Sequence, residues 1–299
     1  MFRQFFEHPL VKIFFTVLFT FIIFIGLLML IISALTNGME NENLAVKKDS
    51  IGVINLNGVI TGSKDFIEQL DKYRDNGNIK AIVIKINSPG GAVVPSQEIY
   101  REILKIRKKK KVYAYMQSVA ASGAYYIASA CNKIIANPGT ITGSIGVIIE
   151  FTNFDKLFNK LGIKAIVVKS GKYKDVGNPF RPITEDDRKL LQNVINSIYN
   201  QFVSDVAKAR NIPIEQLKKI ADGRIFTGTQ ALKLKLIDGL GNFSDLVTLI
   251  KKEVKFKEKP HLVYPEEKKS FIDKLLTSSE QTIIKSIINN LITVNYKLQ

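Results

Sequence analysis

The chain has 299 residues, 46% of them hydrophobic, which suffices for one sizeable α/β domain with appendages or for two small domains and argues against disorder as the main state. The formal net charge of +16 calls for an acidic partner surface such as anionic lipid or nucleic acid. The lysines are scattered among glutamates with no aromatic-interleaved motif, so nucleic acid is not an expected partner. The single cysteine, Cys131, excludes an intrachain disulfide and a thiolate metal cluster.

In chain order, residues 13–35 carry no charge and are almost all Phe, Ile, Leu, Val, Met or Thr. As a helix this stretch would be roughly 34 Å long, against about 30 Å of bilayer hydrocarbon. It is expected to be an uncleaved anchor rather than a signal peptide, because the run is long and no small-x-small cleavage site follows. Arg3 and Lys12 precede it and Glu40 and Glu42 follow, so residues 1–12 are expected inside and the body outside the membrane. Residues 36–50 are polar and read as a linker. The body then alternates: strand 51–56, helix 64–74, the β-branched strand 81–86, helix 96–107, strand 112–116, a short small-residue helix 122–130, and further strands at 147–150 and 165–169. The basic run 107–111 reads as a solvated helix end. Thr184 and Asp187 form a helix-start box, and an amphipathic helix follows to about Arg210. This alternation implies an α/β domain of layered sheet and helices. After residue 252 the chain is lysine-rich, then shows helical apolar spacing at 271–276 and 283–294. That tail is expected to pack on its own or a neighbouring subunit rather than on a membrane surface.

Three turns rich in glycine and serine flank strands: 87–91 (NSPGG), 120–124 (AASGA) and 140–144 (TITGS). Each alone is only a turn; together they hold the parts of an acyl-transfer site. Ser122 stands among small residues at the start of a helix, where a peptide backbone can approach its hydroxyl and the helix N-terminus favours negative charge. Gly91 and Gly123 can offer backbone N–H groups to an oxyanion. The local sequence equally allows Ser122 to be a plain N-cap. A serine nucleophile needs a base, and the only histidines are His8, before the apolar span, and His261, in the tail. A Ser-His-Asp triad is therefore not expected, and a Ser-Lys dyad is the alternative. Charge counting cannot choose among the lysines; Lys174 is a candidate because its turn, 170–175 (SGKYKD), directly follows an apolar strand. Cys131, in a small-residue helix end, reads as an apolar filler.

The set NSPGG (87–91), AASGAYYIA (120–128), TGSIGV (142–147), SGKYKD (170–175) and ADGRIFTGTQA (221–231) resembles the short form of the signal peptide peptidase A family, bacterial Ser-Lys proteases of the Clp-protease/crotonase fold. The resemblance covers roughly 51–247 and the anchor, and makes 51–252 a protease domain and 253–299 a helical tail. It implies Ser122 as nucleophile, Lys174 as general base, Ser144 as the hydroxyl that positions the lysine amine, and Gly91 and Gly123 as oxyanion donors. It further implies a ring-shaped homo-oligomer in which Lys174 reaches Ser122 across a subunit boundary. Cleaved signal peptides and similar apolar peptides would be the substrates, at the lipid bilayer of the bacterial inner membrane, with no metal or organic cofactor. Ala124 departs from the family, which usually has a second glycine there, as does Asn178, where serine is common. Other readings on the same fold are a protease partner of stomatin-like proteins, a crotonase-type acyl-CoA enzyme and a catalytically inactive membrane scaffold.

Overall fold

The computed structural model describes residues 9–39 and 46–265. They fall into two units that divide between Lys47 and Lys48. The first holds α1 (Pro9–Met39), a 31-residue helix whose described apolar side chains, among them Phe14, Phe19, Phe24 and Met29, are exposed. Among the described residues no helix is both long and apolar enough to cross a membrane.

The second unit is an α/β body. Its elements are β1 (Ser50–Ile60), α2 (Lys64–Asp75), β2 (Ile79–Gly91), α3 (Val93–Ile106), β3 (Lys111–Ala121), α4 (Gly123–Ser129), β4 (Lys133–Ala136), β5 (Ile141–Gly143), α5 (Asp155–Lys160), α6 (Glu185–Arg210), α7 (Ile214–Lys218), β6 (Ile225–Thr227), α8 (Gly228–Lys233), β7 (Gly239–Leu240), α9 (Phe243–Val254) and β8 (His261–Val263). Among the described residues one sheet runs β6-β5-β3-β2-β1-β8, with β4 paired to β3 and β7 to β4. Every pairing is parallel except β5 with β6.

A parallel sheet needs cover on both faces, and its strands then read as continuous apolar runs. Ile82, Val83, Ile84 and Ile86 of β2 are all fully buried. Ile51, Val53, Ala81, Val83, Tyr113 and Tyr115 face α9, where Leu246 and Ile250 complete the cluster. The alternate positions face α2: a side chain at Gly52 would strike the ring of Tyr73, 2.4 Å away. The expected mixed α/β architecture is present, and so is the helix-start box. Thr184 Oγ1 accepts from the Asp187 N–H at 3.1 Å, the Asp187 carboxylate accepts from the Thr184 N–H at 3.1 Å, and α6 ends at left-handed Asn211.

Three differences from the sequence-based reading matter. The NSPGG turn is the end of β2 rather than a loop beyond it, with Ser88 paired to Ala120. The strands expected at 147–150 and 165–169 are irregular backbone. Ile148 is 85% exposed, Ile166 89% and Val168 96%. β-Branched composition favours a pleated, half-buried surface, and among the described residues neither segment pairs with a strand. Third, β8 lies after residue 252 yet pairs with β1, so the sheet takes in the first part of the lysine-rich tail. The helical spacing at 271–276 and 283–294 lies outside the described residues.

Candidate active site

In open parallel sheets, ligand sites form beyond the carboxyl ends of the strands. β2, β3 and β5 end at Gly91, Ala121 and Gly143, so the three small-residue turns converge on one edge of the body. Ser122 joins β3 to α4 with φ 54° and ψ −123°, a sparsely populated region for a residue with a side chain, costing roughly 1–3 kcal/mol. Such a strand-to-helix turn lifts a nucleophile clear of the sheet. The Ser122 N–H donates to the Gly143 carbonyl at 2.9 Å, and its own carbonyl starts α4 by accepting from the Tyr126 N–H at 2.9 Å. Its hydroxyl makes no cap hydrogen bond, so the plain N-cap reading of Ser122 is not realised.

The glycines are required by contact. A Cβ on Gly90 (φ 104°) would lie 2.9 Å from Ser122 Cβ and 2.8 Å from Gly123 N; one on Gly91 would lie 2.2 Å from the Ile60 carbonyl oxygen. A Cβ on Gly123 would stand 3.5 Å from Gly91 N and 2.5 Å from Ser96 Oγ. Gly91 and Gly123 are thus neighbours beside Ser122. As the first residue of α4, Gly123 has an N–H with no acceptor inside its helix. Ser144, just past β5, is also left-handed, with φ 50°. Because Ala121 pairs with Gly143, Ser122 and Ser144 leave adjacent strands side by side. The Ser144 N–H donates to the Arg224 carbonyl at 2.8 Å, which ties it to β6 and the 221–231 motif.

Lys174 stands apart. It is exposed, in a run of turns between α5 and α6, and its N–H donates to the Gly171 carbonyl at 3.1 Å. Within one chain, no hydrogen bond joins Lys174 to Ser122 or Ser144 among the described residues. His261 begins β8 opposite Ser50, at the amino ends of the parallel strands. The length of β3 alone puts it on the order of 30 Å from Ser122 along the sheet, so it is not a base for that serine in the same chain. Cys131 is buried, and burial pushes its thiol up to about 12, which removes it as a nucleophile.

Several positioning groups escaped the sequence reading. Ser88, fully buried, accepts the Gly90 N–H at 3.1 Å and shapes the glycine turn. Ser96, under Gly123, donates to the Ala92 carbonyl at 2.9 Å. Thr142 Oγ1 donates to the Ala120 carbonyl at 2.6 Å and stitches β5 to β3. The S-x-G spacing of Ser88 and Gly90 is a recognisable turn signal; nothing local marks Ser96, and Thr142 stands in the TITGS turn with no local sign of its role.

Residues 105–257, just over half the chain, match the model of peptidase family S49, and residues 48–140 match that of Clp protease. This chain belongs to peptidase family S49. The S49 chain is 43% identical over 199 residues to a Synechocystis protein described as a protease, covering 66% of this chain and 72% of that one. It is 38% identical over 209 residues to an Enterococcus faecium protein described as a signal peptide peptidase, covering 70% and 61%. With protease 4 of Haemophilus influenzae the identity is 31% over 226 residues, covering 72% of this chain and 36% of that protein. The S49 chain thus spans about three fifths of the second relative and about a third of the third. The family makes it a serine peptidase of Clp-protease-like fold.

Proposed function

We propose that this S49 peptidase is a membrane-anchored endopeptidase that cleaves signal peptides and similar apolar peptides with a Ser122-Lys174 dyad. The observation that carries the reading is the strained turn at Ser122, with Gly91 and Gly123 against it at the carboxyl edge of the sheet. In the first step the neutral Lys174 amine takes the proton from the Ser122 hydroxyl as Oγ attacks the scissile carbonyl. The Gly91 and Gly123 N–H groups receive the developing oxyanion; one such donor contributes roughly 3–4 kcal/mol to transition-state stabilisation. Collapse breaks the C–N bond, and the lysine ammonium returns its proton to the leaving amine. Water then hydrolyses the Ser122 ester by the same route. Ser144 orients the amine from the next strand.

Lys174 reaches Ser122 from a neighbouring copy in a ring-shaped homo-oligomer. Support comes from the segment that bears it: Ile148, Leu161, Ile166 and Val168 are exposed together, apolar surface of the kind that marks a protein interface. Helix α1 serves as the anchor. Its run 13–35 carries no charge, and the relatives named signal peptide peptidase and protease 4 act as precedents for peptide substrates. The charge asymmetry around α1 puts the N-terminus inside and the body outside the cytoplasmic membrane.

The test is complementation. Ser122→Ala and Lys174→Ala should each abolish hydrolysis of an apolar reporter peptide, and co-assembled mixtures of the two should regain part of it. Turnover by either variant alone would refute the dyad, and inactive mixtures would refute the shared site.

A further inference from the structure

The turn that carries Lys174 is held by one side chain that the reaction itself does not use. Arg181 grips the adjacent residue, Asp175, with Nε donating to Oδ2 at 2.8 Å and a terminal nitrogen donating to Oδ1 at 3.1 Å. The same nitrogen donates to the Asp175 backbone carbonyl at 3.1 Å. The other terminal nitrogen donates to the Pro182 carbonyl at 3.0 Å and to the Asp187 carboxylate. Asp187 is 3% exposed and closes the capping box of α6. From the opposite side, Lys169 Nζ donates to Asp175 Oδ1 at 2.6 Å and to the Lys172 carbonyl at 3.0 Å. Every guanidinium hydrogen therefore has an acceptor, and the planar fork joins the lysine turn to the first turn of a 26-residue helix.

The charges are as informative as the geometry. A base lysine must be neutral near working pH, and an unpaired carboxylate near an amine favours its charged form. Asp175 is not bare: Lys169 and Arg181 both pair with it, and Asp187 balances Arg181 in turn. Other charges on neighbouring elements are Lys172, paired with Asp186 of α6, and Asp155, Lys156 and Arg188, which line the same cleft as Arg181.

We propose that Arg181 is a positioning residue for catalysis: it locks the Lys174 turn onto α6 through Asp175 while cancelling the carboxylate that would otherwise keep the Lys174 amine charged. The proposal rests on Lys174 being the general base. It predicts shifts of opposite sign in the pH profile of kcat/KM. Arg181→Gln leaves Lys169 as the cation paired with Asp175 and should move the rising limb up, with kcat at neutral pH down several-fold and KM little changed. Asp175→Asn leaves one positive charge in excess among Lys169, Arg181 and Asp187 and should move the limb down. The double variant should bring the limb back toward wild type, and Arg181→Lys, which keeps the charge but not the fork, should restore the limb's position with a lower plateau.

These profiles are measured on the full-length, assembled enzyme with an apolar reporter peptide, with Lys174→Ala in parallel. An Arg181→Gln limb that stays in place, or equal losses at every pH in both single variants, overturns the proposal while a dead Lys174→Ala leaves the dyad standing. An active Lys174→Ala removes both. If Arg181→Gln does not assemble, the downward shift in Asp175→Asn decides alone, since there Arg181 keeps its bond to Asp187; an unmoved limb in that variant is equally fatal.

Discussion

The backbone N–H of Ser122 donates to the Gly143 carbonyl at 2.9 Å, so the proposed nucleophile is anchored to the residue that precedes Ser144. Both serines turn left-handed as they leave paired parallel strands. Two strained residues on adjacent strand ends, each braced by the sheet, form a fixed platform. The lysine that would complete it is borne by a separate, exposed segment.

From that platform, Ser144→Ala should lower kcat by about 10²-fold with little change in KM or in thermal stability, because the residue's structural bond to Arg224 is made by its backbone. Kinetics on the assembled enzyme and a melting curve check this. Near-normal kcat would remove Ser144 from the machinery.

Gly90→Ala should cost more than Gly58→Ala, although both positions have positive φ. At Gly58 a Cβ meets nothing within 4 Å, so only backbone strain of roughly 1–2 kcal/mol applies. At Gly90 it would overlap Ser122, Gly123 and the Ala121 carbonyl, adding roughly 1–3 kcal/mol and displacing the nucleophile. Urea midpoints and labelling of Ser122 by a serine-directed probe separate the two; equal effects would contradict the packing described.

Ile166→Lys combined with Val168→Lys should leave the secondary structure of the body intact and abolish both self-association and hydrolysis. Those side chains are almost wholly exposed in the single chain and contribute nothing to its core. Sedimentation and circular dichroism give the readout, and an intact oligomer would place the interface elsewhere.

Acid should unfold the body partly through Asp187. Hydrogen bonds from Arg181 and then the Thr184 backbone pull its carboxyl down to about 2 from an ordinary 3.8. A depressed carboxyl contributes stability that is fully present above the unfolded value and disappears as pH falls through the folded one. The loss is therefore expected between about pH 4 and 2, well below the range in which a lysine base titrates. Urea midpoints across pH should show this acid limb, and it should be shallower in Arg181→Gln.

Cys131 should resist alkylation in the native enzyme at pH 8, and thiol reagents should leave activity unchanged, since burial holds the thiol protonated there. Rapid native labelling, followed by mass spectrometry, would show that the region around α4 opens.

Much of this protein was legible along the chain because it depends on near neighbours. The apolar run of β2 and the capping box at Thr184 and Asp187 are local facts, and the sheet and α6 follow from them. The family motifs further singled out Ser122, Gly91, Gly123, Ser144 and Lys174. What local pattern cannot carry is where a side chain's partner comes from. The β-branched runs at 147–150 and 165–169 read as strands, but a strand exists only when a neighbour pairs with it, and among the described residues none does. Ser96 and Thr142 look like any small polar residues until folding places them under Gly123 and beside Ala120. Arg181 reads as a surface charge until the turn and α6 bring Asp175 and Asp187 to its two sides. Sequence determined which groups exist and which elements they ride on; only tertiary contact, acting over distances the chain crosses by folding, decided which of them meet.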